Sequence, residues 1–395
     1  MAMLKMVSPW MNYYQEVKAL FERDPEIKIV FDEDNYEIKL YVEKPSKAEA
    51  LIQLLPTERQ YGNVTLKITV IPANTEDGLG SLYVQLDPTR LGTLTEAVTY
   101  VFHYPYGCME QRSAAVLPLV AFGEYIKVFG LNSEVKNPKR VAEKEIASWK
   151  KVQKSDGGFP YWPSGRESNN YVSMRIGEIV ALAQKNGIST KGIDVDALHR
   201  YIKNLATGSG KDGAYWYNTA QAIYIAECLS DGKDDFNSKL AEIAESSENL
   251  NALAYCGLAY LKCGNKSKAQ EVGKKIRRYT KYSTRGIDLT DSINSYWSFL
   301  NGKSEDYALL LQFFSELEPE SDINQHLVYE LLEIQKMSHG YWTSTAQTAR
   351  VLIAINSYIK QEGLENTNFT AEAHLNKKDF VSGTFKGVAA DPVEK

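Results

Sequence analysis

The spacing of apolar residues changes twice along this chain, and each change marks a different kind of structure. Over residues 1–73, Trp10, Tyr13, Tyr14, Val17, Leu20 and Phe21 recur at helical spacing after Ser8-Pro9. Ile27, Ile29 and Phe31, then Ile38, Leu40 and Val42, instead alternate with polar neighbours on either side of Asp32-Glu33-Asp34-Asn35. A period of two with a turn-rich joint predicts a β-hairpin. A short strand from Leu4 to Val7, a helix after Ser46 carrying Ala50, Leu51, Leu54 and Leu55, and a strand with Leu66, Ile68 and Val70 complete the module. The order strand, helix, strand, strand, helix, strand predicts a small α+β, ferredoxin-like unit. The alternative is that these strands belong to a larger β-domain whose other half lies near the C-terminus.

A polar, glycine-bearing seam at 73–80 separates this module from the rest. Beyond it, Ser81 to Leu86 reads as a strand and Leu94 to Phe102 as a helix. From residue 110 the helical period holds almost without interruption. It predicts twelve helices, at 110–129, 138–154, 170–187, 194–206, 217–230, 233–246, 249–263, 266–279, 288–301, 304–317, 323–336 and 343–361. Gly, Asn, Asp, Ser or Pro punctuate the joints, as in Cys263-Gly264-Asn265. Tyr215-Trp216-x-x-Thr219-Ala220-Gln221 recurs as Tyr341-Trp342-x-x-Thr345-Ala346-Gln347, and Asp156-Gly157-Gly158-Phe159-x-Tyr161-Trp162 is a related turn. A repeated aromatic turn ahead of helices reads as a hinge in a helical repeat. Inner and outer helices should alternate, with no sheet between 110 and 361. After Gly363 alternation returns: Phe369 to Leu375 and Phe380 to Phe385 read as strands, so 366–395 begins a β-domain.

Charge narrows the function little. Lys and Arg total 45 against 50 Asp and Glu, and a net charge of -5 gives no electrostatic case for nucleic acid or an anionic membrane. No apolar run is long enough to span a bilayer, and Met1 to Met6 have no signal-peptide core. The four cysteines, Cys108, Cys228, Cys256 and Cys263, are no disulfide framework, and the last three read as buried core residues. Cys256 and Cys263 lie about two helical turns apart, roughly 10 Å, too far to bridge. Neither Cys-x-x-Cys nor His-x-x-x-His spacing occurs, so no metal site is expected.

The chemistry concentrates in Tyr104-Pro105-Tyr106-Gly107-Cys108-Met109-Glu110-Gln111. A sulfur and a carboxamide at i and i+3 are neighbours on a helix or tight turn. Attack of Cys108 on the Gln111 carbonyl, with loss of ammonia, would give an internal thioester. A bland reading makes Cys108 a buried small hydrophobe. A second makes it a catalytic thiolate served by His103. Pro105 restricts the lead-in and Gly107 permits a sharp turn before the sulfur. Tyr104 and Tyr106 are candidate shields against water, or else ordinary core aromatics. Glu110 is a candidate for proton traffic or for orientation.

The aromatic-Pro-aromatic-Gly lead-in joined to Cys-x-Glu-Gln resembles the thioester motif of the α2-macroglobulin and complement superfamily, in its bacterial α2-macroglobulin form. The resemblance implies a mainly α fold, with a toroid of about twelve helices over 78–363 inserted into a β-domain. It implies a single-turnover protease inhibitor, not an enzyme, in which a protease lysine attacks Gln111 and frees Cys108. No cofactor beyond the internal thioester is called for. The intact protein would be periplasmic or extracellular, and the present chain a fragment of it, lacking the bait region. Complement-type members use a histidine in the middle of this domain; Gly208 to Asn218 has none, and His199 and His103 read as structural. Direct attack by amines is therefore the implied route.

The toroid is shared with terpenoid cyclases and prenyltransferases, but an Asp-x-Asp-Asp acid and Asp/Cys/His metal ligands are both missing here. A thioester adhesion module stays open as an alternative, as does a cysteine-dependent hydrolase or transferase using Cys108 and His103. Without the covering neighbour domain that the family implies, Cys108 and Gln111 are expected to face water.

Overall fold

Two kinds of helix alternate along the larger part of the molecule, and their burial tells them apart. In the computed structural model the described residues are 27–32, 37–42, 85–86, 91–208, 213–282, 286–289, 302–338, 340–361, 368–375, 378–386 and 393–394. Thr95–Phe102 (α1), Pro138–Ser148 (α3), Val195–Leu205 (α5), Asn237–Ser246 (α7), Lys266–Arg277 (α9) and Asp322–Met337 (α11) bury one face. On α5, for example, only Leu198 and Ile202 are buried. The alternate helices are Met109–Phe122 (α2), Asn170–Lys185 (α4), Gly213–Ser230 (α6), Leu250–Lys262 (α8), Lys303–Leu317 (α10) and Thr345–Gln361 (α12). Of these α8 is buried without a break from Leu250 to Tyr260, as a helix walled in on all sides must be.

The packing closes this alternation into a ring. α2 packs on α4, α4 on α6, α6 on α8, α8 on α10, α10 on α12, and α12 returns to α2. The one-faced helices lie outside: α3 on α2, α5 on α6 and α4, α7 on α8, α9 on α8, α11 on α10, and α1 against α2 and α12. The fold is thus mainly α, an α/α toroid of six inner and six outer helices among the described residues. Each outer helix returns the chain to its starting end, so the inner helices all begin at the same end.

Local sequence explains the joints. Asn137, Asn169, Asp194, Asn249 and Asn265 each accept a backbone N–H from the first turn of the helix that follows, at 2.9–3.2 Å. Such caps satisfy donors that a helix start leaves free. Gly257 on α8 lets α10 approach closely, since a Cβ there would lie 2.3 Å from the Phe313 ring.

Three details differ from the expectation. Among the described residues the sixth outer helix is α1, ahead of Cys108; the expected helix at 288–301 falls, from 290 on, outside them. Ile287–Leu289 is a strand paired antiparallel with Thr280–Tyr282, so this span does contain a short two-stranded sheet of three residues a side. Cys256 is fully buried, but Cys228 and Cys263 are only half-buried.

The chain divides into two units, Met1–Gln85 with Glu394–Lys395, and Leu86–Val393. In the first, Ile27–Asp32 pairs antiparallel with Glu37–Val42, Ile29 opposite Leu40, as alternation predicted. The other expected elements of residues 1–73 lie outside the described residues, and of the strand at 81–86 only Gln85–Leu86 is described. In the second unit, Asn368–Leu375 pairs with Lys378–Lys386, whose Val381, Gly383 and Phe385 alternate inward.

One carboxyl in the ring predicts a pH dependence. Asp306, in the first turn of α10, accepts the Asn251 side-chain N–H at 2.6 Å. Burial, with Glu305 beside it, pushes its carboxyl up from 3.8 to about 7. The folded state therefore holds a proton that the unfolded chain has lost, and stability should fall as pH rises through that window. Asp306→Asn should remove this slope, a difference of about 2–4 kcal/mol between the ends of the window, read by urea unfolding at pH 4 and pH 8.

Candidate functional site

Cys108 stands at the N-cap of α2, with φ −65° and ψ 160°, and Gln111 at the third helical position. This is the spacing of a capping box, where a small polar N-cap residue and a Glu or Gln three residues on serve each other's backbone N–H groups. Here a cysteine takes the place of Ser or Thr. The Cys108 N–H donates to Gln111 Oε1 at 3.3 Å, and the Gln111 N–H faces the sulfur in return. The local rules of helix capping thus fold the carboxamide back over the thiol.

The sulfur is sealed. Cys108 is 0% exposed and Gln111 half-buried. The expectation that both would face water is overturned for Cys108 by a loop that comes from 50 residues further along the chain. Tyr161 accepts the Met109 N–H on its carbonyl at 2.8 Å. The loop is held rigidly. Phe159 is fully buried, its N–H donates to Ser173 Oγ at 2.8 Å, and Asp156 accepts the Gly158 N–H and the Ser168 hydroxyl. Gly157, at φ +94°, sits where a Cβ would lie 2.1 Å from the Ala197 carbonyl oxygen, so only glycine fits. The Gly-Gly-Phe-x-Tyr-Trp turn, legible as a hinge, also carries the Tyr161 carbonyl to the first turn of α2.

Aromatic rings line the lead-in. Tyr341 stacks on Tyr100 at 3.9 Å, Tyr100 meets Tyr104 edge-on at 5.3 Å, and Tyr104 lies 5.8 Å from Tyr106. Tyr104 is half-buried in this row; Tyr106 ends it, 66% exposed. Burial and the neighbouring Tyr104 push the Tyr100 hydroxyl up to about 12. On the outer side of the row a groove of about 540 Å³ opens between Tyr100, Tyr104, Tyr341, Glu96 and His103.

Glu110 points the other way, into the ring, and is 3% exposed. Its Oε2 accepts the Thr345 hydroxyl at 2.8 Å, and its Oε1 has no hydrogen-bond partner. Deeper in lie two buried guanidiniums. Arg350 pairs with Glu178 and donates to the Tyr255 hydroxyl at 3.0 Å, which also accepts from Gln221 at 3.1 Å. Arg175 donates to the Ala346 carbonyl, and Tyr217 donates to Glu305 at 2.7 Å.

The histidines are engaged elsewhere. His103 Nε2 bonds Glu134 at 2.8 Å on the surface, and His199 Nε2 bonds Asp234 at 2.6 Å. The Cys108 thiol is pushed up, first by burial and then by the Glu110 carboxylate, against the opposing pull of the Gln111 N–H and the Tyr161 hydroxyl. A nucleophilic cysteine enzyme needs its thiol pushed down. Among the described residues no cluster of His, Cys, Asp and Glu could hold a metal ion, and no helix is long and apolar enough to cross a membrane.

The fold is an α/α toroid, with a Cys-x-x-Gln capping pair buried at the start of an inner helix. No protein-family profile matches the chain. It is 22% identical over 365 residues to an alpha-2-macroglobulin homolog of Nostoc sp. strain PCC 7120, covering 90% of this chain and 18% of that protein. Its fold matches the native conformation of Escherichia coli alpha-2-macroglobulin, with a TM-score of 0.56 and 15% identity over 79% of this chain and 19% of that one. It matches Salmonella alpha-2-macroglobulin reacted with methylamine equally well, at a TM-score of 0.56 over 79% of this chain and 20% of that one. The chain is thus similar to bacterial alpha-2-macroglobulins in sequence and in fold, and it spans about a fifth of the length of the proteins it matches.

Proposed function

We propose that residues 78–363 are the thioester domain of a protease trap. Cys108 and Gln111 form the internal thioester, and the flanking strands are pieces of the β-domain that hosts it. In the whole protein, cleavage by a protease elsewhere would uncover the bond. A lysine amine of that protease then attacks the Gln111 carbonyl, an amide tethers the protease, and Cys108 leaves as a thiol. The trap acts once, so it is an inhibitor rather than an enzyme, and its place is where foreign proteases are met, in the periplasm or outside the cell.

The single observation that carries this reading is the capping box built from a thiol and a carboxamide, with the thiol wholly out of water. Tyr104 and Tyr161 act as the shield. Tyr106, standing in solvent, takes a smaller share of it. Glu110, fixed by Thr345, holds the first turn of α2 against α12. The hydrolase reading finds no support, because His103 is bound to Glu134 and the thiol is pushed up rather than down.

Intact-mass measurement tests the proposal. The chain should weigh less than its sequence by one ammonia and have no reactive Cys108 thiol; methylamine should add to Gln111 and release that thiol once per chain. Full sequence mass with a free Cys108 that ignores methylamine would overturn it, as would repeated turnover of amide or ester substrates lost in both Cys108→Ala and His103→Ala.

A further inference from the structure

We infer that the groove beside the tyrosine row is an anchoring subsite for a second cation of the incoming amine, an alkylammonium held there while a neighbouring amine attacks Gln111; this rests on the thioester reading above. The substrates it favours are diamines and proteins whose surface lysines stand close together. The walls supply the chemistry. Tyr341 stacks on Tyr100 with the planes 9° apart, Tyr104 stands at 80° to Tyr100, and all three rings line the space of about 540 Å³. Rings set near a right angle make two sides of a cage, and a cation over such faces is attracted by their quadrupoles. The charge that answers a cation is Glu96, which lies in the first turn of α1, lines the same groove and is exposed. Among the described residues no cation pairs with it and no Lys or Arg lines the groove, while His103 is tied to Glu134 at 2.8 Å.

The carboxylate has a fixed seat. Glu96 Oε2 lies over Gly340, at φ +86°, where a Cβ would collide with it, so the backbone there has to be bare. Buried Gln335 holds both sides of this seat: its side-chain amide donates to the Thr93 carbonyl just ahead of α1 and to the Gly340 carbonyl, each at 2.8 Å. An acid without a counter-charge, held in place beside three aromatic rings, selects a cation over a neutral or anionic group.

Reach ties the groove to the reactive pair. Pro105 lines it and precedes Cys108 by three residues, so their Cα atoms are at most about 11 Å apart. A long diamine, or two neighbouring lysine side chains, can bridge a gap of that order, whereas methylamine cannot. Anchoring one amine makes attack by the other effectively intramolecular and so raises its local concentration at Gln111. The anchored nitrogen stays protonated, and the attacking one is the neutral amine that the acyl transfer requires.

A series of α,ω-diamines, each compared with the monoamine of equal length at fixed ionic strength, tests this in the chain, with the released thiol titrated by a chromogenic disulfide. At the best length the diamine should react about 10-fold faster, the worth of a cation held by aromatic faces and a carboxylate, and added tetramethylammonium should remove the advantage. In Glu96→Gln the ratio should fall towards the statistical value of about two, since the second amine is no longer anchored. Glu96 is exposed and bonds no described residue, so this variant keeps the fold. A wild-type ratio of about two at every length overturns the proposal while leaving the thioester standing, as does an advantage that Glu96→Gln retains in full. A wild-type chain with no mass deficit and no amine response overturns the thioester reading itself, and tetramethylammonium alone then decides the groove. Its methyl protons should shift upfield in the NMR spectrum under the ring currents of the three tyrosines, and less so with Glu96→Gln; no shift with the wild-type chain overturns the site.

Discussion

Cys108→Ser and Gln111→Glu are each expected to abolish methylamine incorporation completely while leaving the fold intact. The two halves of that result have separate causes. Serine is a stronger N-cap residue than cysteine, and glutamate serves the third position of a capping box as well as glutamine does. Both variants therefore keep the local bonds that start α2, and their unfolding free energies should stay within about 1 kcal/mol of the parent. The chemistry has no such tolerance. A serine hydroxyl does not displace ammonia from a carboxamide to make a stored acylating bond, and a glutamate carboxylate has no ammonia to lose. Each variant should show its full sequence mass and no methylamine adduct. An adduct at residue 111 in Cys108→Ser would mean that the carboxamide is activated by something other than the sulfur.

The capping pair also marks what could be read from the chain and what could not. Residues that act on near neighbours were legible. The Asn and Asp caps, the hairpin at 27–42, the C-terminal strands and the Cys-x-x-Gln pair all rest on spacings of a few residues. The helical run and its repeated aromatic turns pointed to the toroid because a closed ring of helices repeats one packing problem around a circle.

What the sequence hid depends on contacts across the ring. α1 has only eight residues and precedes the motif, so nothing local marks it as the outer helix that completes the ring against α12. Ile287-Asp288-Leu289 fits a strand and a helix start equally well, and its pairing with Thr280–Tyr282 decides. The loop of Tyr161, whose carbonyl holds the Met109 N–H beside Cys108, was visible as a hinge but not as a neighbour of that turn. Buried charge was the least legible feature. Arg175 and Glu178 sit at i and i+3, the pattern of a solvated ion pair, yet both are buried and Glu178 pairs instead with Arg350.

That pair supports the prediction with the largest effect on stability. Arg350→Met should cost about 3–5 kcal/mol, because it leaves the Glu178 carboxylate buried without its counter-charge. Arg350 is 2% exposed and Glu178 6%, so solvent screens neither. The guanidinium joins three inner helices at once: it lies on α12, pairs with Glu178 on α4 and donates to Tyr255 on α8. Adding Glu178→Met should return most of the loss, since a buried ion pair and well-packed apolar side chains of similar volume are close in free energy. The double variant should thus be more stable than either single one, a coupling measurable by urea unfolding with the slope checked for constancy. Additive losses would mean that water reaches the pair and that the ring is looser than its burial implies. The consequence reaches the reactive turn, because α12 begins at Thr345, which holds Glu110, and α4 begins just after the loop that brings Tyr161 to Cys108. In Arg350→Met those two supports lose their shared tie, and any thioester present should hydrolyse faster than in the parent, at a rate that the double variant brings back down.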